Sequence, residues 1–166
     1  MKKRITNKNM QELIQPLIGL PCCRKQIGYR RSLSMGFGKR IQHNNPKARD
    51  RYYGEWEVGT YESAWRVIRS GKIICASHDA SDSNTPENPP DIDRTFRRIN
   101  FGRLLSIQKI NKWDFELKFD FDLSINLFGA SSDKDDEFFH IFFPENKCLV
   151  FESGEGWFYG DSDKPW

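Results

Sequence analysis

The sequence predicts a mainly β protein with two short helices, in which two related halves share one sandwich-like or barrel-like core. Three observations predict it. The stretch WDFELKFDFDLSINLF (113–128) is apolar at every odd position from Phe115 to Leu127 and polar at the even ones between them. A strict period of two means extended chain with one buried face. Two segments with helical spacing each end at a glycine, and the strand patterns that follow the first resemble those that follow the second.

Taken in order, residues 1–8 read as a basic tail. Met10, Leu13, Ile14 and Leu17 fall at i, i+3, i+4, i+7, a short amphipathic helix ended by Pro16 and Gly19. Residues 20–41 alternate weakly, with Leu33, Met35 and Phe37 on one face and Gly36 and Gly38 supplying a turn. Residues 42–51 are polar loop. From Glu55 the pattern is extended again, and Ser70-Gly71 makes a hairpin turn between AWRVI and KIICA. The run 80–90, dense in Pro, Ser, Asn and Asp, is a linker. Ile92, Phe96 and Ile99 then have helical spacing, with Pro90 or Asp91 at the start and Gly102 at the close. Phe115 to Leu127 exceeds the usual strand length, so a reversal is expected at Asp120-Phe121-Asp122.

These elements divide the chain into a first unit (9–79) and a second (91–155), with residues 156–166 as a C-terminal tail. LSMGFGKRI (33–41) lines up with LKFDFDLSI (117–125), and WRVIRSGKIICA (65–76) with FHIFFPENKCLVF (139–151). Such a unit cannot bury its apolar strand face alone, so the two copies are expected to cover each other.

Composition narrows the function. With 166 residues, 37% hydrophobic and 14% aromatic, the chain has material for one real core. No apolar run approaches the length of a membrane span and no apolar stretch follows the basic N-terminus, so a cytoplasmic protein is expected. Net charge of +3 hides a split. Residues 1–78 hold 16 basic and 5 acidic residues, and the rest is correspondingly acidic. Segregated charge concerns partners rather than fold.

Each cluster with chemical potential has a plainer reading. Cys22 and Cys23 are adjacent, Cys75 and Cys148 are isolated, and no Cys/His ligand spacing exists, so buried free thiols are expected rather than a nucleophile paired with His43, His78 or His140. His78, Asp79 and Asp82 read as turn formers. Asp133, Asp135, Asp136 and Glu137 lack the glycine-centred loop of a calcium site. No cofactor, metal or catalytic constellation is predicted.

Two binding surfaces remain. The first is the segment GEWEVGTYESAWRV (54–67), where Trp56, Tyr61, Glu62, Trp65 and Arg66 include residue types enriched at interface hot spots. Glu55, Glu57, Thr60 and Glu62 are expected to form an exposed strip between the aromatics. The second is the basic set Arg24, Lys25, Arg30, Arg31, Lys39 and Arg40, extended by Lys47, Arg49 and Arg51. With Tyr29, Tyr52 and Tyr53 for stacking, it could follow a nucleic-acid backbone. A protein partner is the leading expectation, nucleic acid the alternative, and an enzyme with an unrecognised site the third.

LIGLPCCRKQIGYRRSLSMGFG followed by GEWEVGTYESAWRVIRSGKIICASHD resembles a group of small uncharacterised bacterial proteins with a Leu-Ile-Gly-Leu-Pro-Cys opening, a GEW strand and a Trp-Arg strand in this order. Cys23 departs from the aromatic expected after Cys22. The resemblance implies an immunity-type or accessory protein of a bacterial toxin system, and it assigns no catalytic residues.

Overall fold

A computed structural model describes residues 1–61, 63–79 and 91–162. The strands are β1 (Lys3–Ile5), β2 (Cys22–Ile27), β3 (Leu33–Gln42), β4 (Tyr52–Thr60), β5 (Ala64–Arg69) and β6 (Lys72–Ala76). They continue with β7 (Leu104–Lys109), β8 (Phe115–Phe119), β9 (Leu123–Phe128), β10 (Glu137–Phe143), β11 (Lys147–Glu152) and β12 (Gly156–Asp161). The helices are α1 (Asn7–Ile14) and α2 (Ile92–Arg98). One sheet has the order β1-β12-β11-β10-β4-β3-β2 and the other β6-β5-β9-β8-β7. Every pairing is antiparallel and neither sheet closes on itself, so the mainly β core is a sandwich and not a barrel.

The alternating stretch behaves as its period requires. Phe115, Leu117, Phe119, Leu123, Ile125 and Leu127 are all at most 2% exposed. Asp120 to Asp122 reverse the chain, with positive φ at Phe121 and Asp122, and Phe121 leaves the buried face to stand 63% exposed. Phe115 packs its ring against Phe138, Phe139, Phe151 and Trp157 of the facing sheet, with centroids 4.7–6.0 Å apart. In α1, Met10 and Ile14 are buried, and Thr6 and Asn9 form a reciprocal cap at its start. Leu17 is buried in the short 3-10 turn that continues the helix through Pro16.

Several expectations are corrected. Residues 1–8 are not a solvated tail, because β1 pairs with β12 through Lys3, Arg4 and Ile5. Of the predicted tail 156–166, Gly156–Asp161 form β12, which lies between β1 and β11 and buries Trp157, and 163–166 lie outside the described residues. Both segments are too short, or too rich in glycine, to show a periodic pattern. Gly36 and Gly38 do not make a turn: β3 runs through both, and Gly38 (φ +80°) sits at a register shift between Phe37 and Arg40. The reversal from β2 to β3 is made instead at Arg30 and Arg31, both with positive φ. The predicted linker 80–90 lies outside the described residues.

The two halves interlock. β2-β3-β4 is a three-strand meander in one sheet, and β5-β6 is a hairpin in the other. β7-β8-β9 is a meander in the second sheet, and β10-β11 is a hairpin in the first. The last strand of each meander pairs with the opposite half's hairpin, β4 with β10 and β9 with β5. Both meanders shift register at the same place, between Cys22 and Arg24 opposite Phe37, and between Leu104 and Ser106 opposite Phe119. Phe37 and Phe119 thus hold like places relative to the shift in their meanders, as do Met35 and Leu117. The alignment read from the sequence, Leu33 with Leu117, is displaced by one pleat, and Ile41 and Ile125 do not correspond.

The segments leaving the two helices pair with each other. Pro21 bridges Arg103; Cys22 N–H donates to Gly102 O (2.8 Å) and Leu104 N–H to Leu20 O (3.1 Å). Around them, Gly38 N–H donates to Pro21 O (3.0 Å) and Asp120 N–H to Arg103 O (3.2 Å). The rings of Phe37 and Phe119 stack at 6.3 Å and 15°.

Candidate functional site

The structure separates the predicted contact residues. Trp56 is 7% and Trp65 1% exposed, so both are core residues; Trp65 Nε1–H donates to Arg31 O (2.8 Å). Arg66 donates to Asn126 Oδ1 (3.1 Å) and lies over Phe128, on the outer face of the second sheet. The expected exposed acidic strip does not form, because Glu57 and Thr60 are 1% and 2% exposed. Glu62 lies outside the described residues. Among the described residues of the set, Tyr61 alone is broadly exposed, at 45%.

Glu57 is buried because β4 lies between β3 and β10, and its outer face is covered. Its Oε2 accepts from Arg24 Nη1 (2.9 Å) and its Oε1 from Gly54 N–H (2.6 Å). Arg24 also donates to Asp50 Oδ2 (2.8 Å) and Ser34 Oγ (2.9 Å). Asp50 Oδ1 accepts from Arg97, whose Nε holds Asp93, and Asp93 in turn accepts from Arg49 and from Ile27 N–H. This chain of ion pairs ties β2, the β3–β4 loop and α2 together.

The basic set therefore splits. Arg24 is structural; Lys25 and Arg40 flank a recess with Cys22, Cys23 and Tyr52. Arg30 and Arg31 line a different recess with His78 and Ser77, and Arg31 donates to Ser77 O. Lys39 is exposed on β3, where its N–H donates to Glu55 Oε1 (3.2 Å).

The other sequence clusters resolve into turns and buried groups. Asp79 Oδ2 accepts from Ala76 N–H and His78 contacts Ser77 Oγ, while Asp82 is outside the described residues. Asp133 accepts from Asp135 N–H in the loop before β10, and Glu137 pairs with Lys2 at 2.7 Å. Among the described residues no group of His, Cys, Asp and Glu is placed to hold a metal ion. Burial pushes the thiols of Cys22 and Cys75 up to about 12. It pushes the His140 imidazole down to about 3, with Lys2 adding to the effect. Thiolate nucleophiles and an accessible imidazole are thereby suppressed at these positions.

A string of recesses was missed by sequence reasoning. Three recesses that share lining residues run from the β9–β10 loop to the β11–β12 turn, with volumes of about 420, 320 and 260 Å³. Tyr61, Ser63 and Asp136 line the first, Trp113 and Ser153 the second, and Lys109, Lys112 and Trp157 the third. Ser131 is common to the first two, and Ser153 with Gly154 to the last two. The wall is stitched by Ser153 N–H to Asp136 O (3.1 Å), Gly154 N–H to Lys134 O (3.0 Å) and Tyr61 N–H to Phe138 O (3.1 Å). Trp113 stands 48% exposed on a turn in which Asn111 Oδ1 accepts from the N–H groups of Trp113 and Asp114.

Among the described residues, three buried polar atoms of this groove have no hydrogen-bond partner: Ser63 Oγ, Ser153 Oγ and Trp157 Nε1. The residues are 7%, 5% and 1% exposed. An unsatisfied buried polar group costs about 1–3 kcal/mol, and native proteins leave few of them. The signal in the sequence is confined to the Asn-x-Trp-Asp turn. The serines come from the β4–β5 crossover and the β11–β12 turn, about ninety residues apart in the chain.

Comparison with family models, curated proteins and solved structures found no match to this chain. Among the described residues no helix is long and apolar enough to cross a membrane.

Proposed function

We propose that this is a non-catalytic binding protein that receives an extended segment of a protein partner along the groove. The observation that carries the reading is the set of three unpartnered polar atoms spread over consecutive recesses. A polypeptide backbone brings donors and acceptors at regular intervals, and so matches a row of such atoms better than one compact ligand does. Tyr61 and Trp113, each about half exposed, are rigid aromatic anchors along the same line. Asp136 makes the groove acidic at one end, Asp133 and Lys134 offset each other in the middle, and Arg4, Lys109 and Lys112 outweigh Glu155 at the other end. That polarity fixes the direction of a bound segment.

The scaffold reads as one module doubled; the matched meanders, hairpins and reciprocal hydrogen bonds support this. The setting we propose is the bacterial cytoplasm, with the partner a protein of a toxin system, as the resemblance in the first half of the chain suggests.

A photoreactive residue placed at Trp113 or Tyr61 in the native host tests the reading. One partner protein is expected to cross-link from both positions and not from Lys118, which is exposed on β8 away from the groove. Equal cross-linking from all three positions, or none from Trp113 and Tyr61, refutes it.

A further inference from the structure

We propose that the recess beside Cys22 and Cys23 is an oxyanion site that takes the phosphate group of a small phosphorylated molecule. The recess has a volume of about 240 Å³ and is lined by Arg24, Lys25, Arg40, Arg97, Asp50 and Tyr52 as well as the two cysteines. Four cations thus face it against one carboxylate.

The neighbouring ion pairs decide which charges are available. Asp50 is held through both oxygens, Oδ2 by Arg24 (2.8 Å) and Oδ1 by Arg97 (3.2 Å). Glu57 neutralises Arg24 from behind (2.9 Å), and Asp93 is shared by Arg97 (2.8 Å) and Arg49 (3.2 Å). Three arginines and three carboxylates are thereby matched. Lys25 and Arg40 stand outside the network, and among the described residues neither has a carboxylate within ion-pair distance. Two uncompensated positive charges border one concave space.

Arg40 is also pre-positioned. Its guanidinium lies over the Tyr52 ring at 4.4 Å, which restricts its rotamers before any ligand arrives. A guanidinium fork with an ammonium beside it is the donor set that recognises a phosphate group. The two charges act on the thiols between them: Lys25 lowers the pKa of Cys22 and Arg40 that of Cys23, each against the larger effect of burial.

A nucleic acid fits this place less well than a single phosphate. A strand needs a track of cations along its backbone. Arg30 and Arg31 line a separate recess, and Arg31 is committed to the Ser77 carbonyl.

Titrating the full chain with inorganic phosphate, by calorimetry and by NMR of the Arg40 Nε–H, tests the site. Saturable one-to-one binding is expected, weakened about tenfold or more by R40Q and by K25Q and unchanged by R30Q. All three side chains reach the surface, and matching thermal melts of the variants establish that they fold. No saturable binding by about 10 mM phosphate, or equal binding by wild type, K25Q and R40Q, would overturn the proposal. Binding of a single-stranded oligonucleotide that R30Q and R40Q reduce alike would overturn it in favour of a nucleic-acid track.

Discussion

His140 makes the stability of this protein depend on pH in a window that can be calculated. Its ring lies on the outer face of β10, between Tyr61 (4.5 Å) and Phe142 (4.7 Å), and is 9% exposed. Its Nδ1 has no hydrogen-bond partner among the described residues, and Lys2 adds like-charge repulsion to the cost of protonating it. The folded value is about 3, against about 6.5 for the unfolded chain. Between these values the unfolded chain binds a proton that the folded chain does not. Stability is therefore fully present above about pH 6.5 and falls as pH falls, by about 1.4 kcal/mol per unit. From pH 7 to 4.0 the loss is about 3 kcal/mol, a large part of the roughly 5–15 kcal/mol that holds a domain folded. The perturbation is His140→Leu, which removes the titrating group and keeps the site apolar. The assay is urea unfolding of both proteins at pH 7, 6, 5 and 4, read as the difference between them so that titrating carboxylates cancel. Wild type is expected to lose about 3 kcal/mol more than the variant between pH 7 and 4. Parallel curves, agreeing within about 0.5 kcal/mol, would refute the assignment of a neutral buried imidazole.

Two further substitutions probe the packing beside His140 and the buried ion pair of β2 and β4. Gly59→Ala would place a Cβ 2.6 Å from His140 Nε2 and 2.7 Å from the Leu33 carbonyl oxygen. The second neighbour is backbone in a paired strand and cannot yield, so a loss of about 1–3 kcal/mol is expected in denaturant unfolding. An unchanged midpoint would show that the strands are free to move apart. Arg24→Ala leaves Glu57 buried without its cation, and a loss of about 3–5 kcal/mol is expected, reduced when Glu57→Gln is added. Additive effects of the two changes would show that the ion pair is not coupled.

The fold was legible where local pattern and final burial agree, and opaque where tertiary contacts override the pattern. The Phe115–Leu127 alternation carries directly into β8 and β9 because one face meets the opposite sheet and the other is polar. The same logic applied to β4 failed at Glu57. Period two separates Trp56 and Val58 from Glu55 and Glu57, but it cannot reveal that Arg24, over thirty residues earlier, brings a guanidinium to cover the polar side. Trp56 and Trp65 looked suited to a partner by residue type and are spent on the core. The groove was not legible at all: it exists because the β4–β5 and β9–β10 crossovers and the turn before β12 meet at one end of the sandwich. Hydrogen-bonding capacity left unused there is a property of packing, not of spacing.

The interlocked topology also changes what the segregated charge is for. A basic half and an acidic half would be expected to attract, and that attraction could set their pairing. Among the described residues the ion pairs that join a basic first-half residue to an acidic second-half residue are Lys2–Glu137, Arg4–Glu155 and Arg49–Asp93. All three include a side chain at least 35% exposed, where such a pair contributes about 0–1 kcal/mol. The stronger network runs mostly within the first half and α2. Register between the halves is instead specified where Pro21 meets Arg103 and Phe37 meets Phe119, by main-chain bonds of 2.8 and 3.1 Å and by stacked rings. Each meander ends in a strand, β4 or β9, whose open edge is closed only by the other half's hairpin. An unpaired edge of that length is an aggregation hazard, so the halves are bound to fold together whatever their charges. The long-range field of the split is then available to steer a partner toward the surface, an effect that weakens with salt as the main-chain pairing does not.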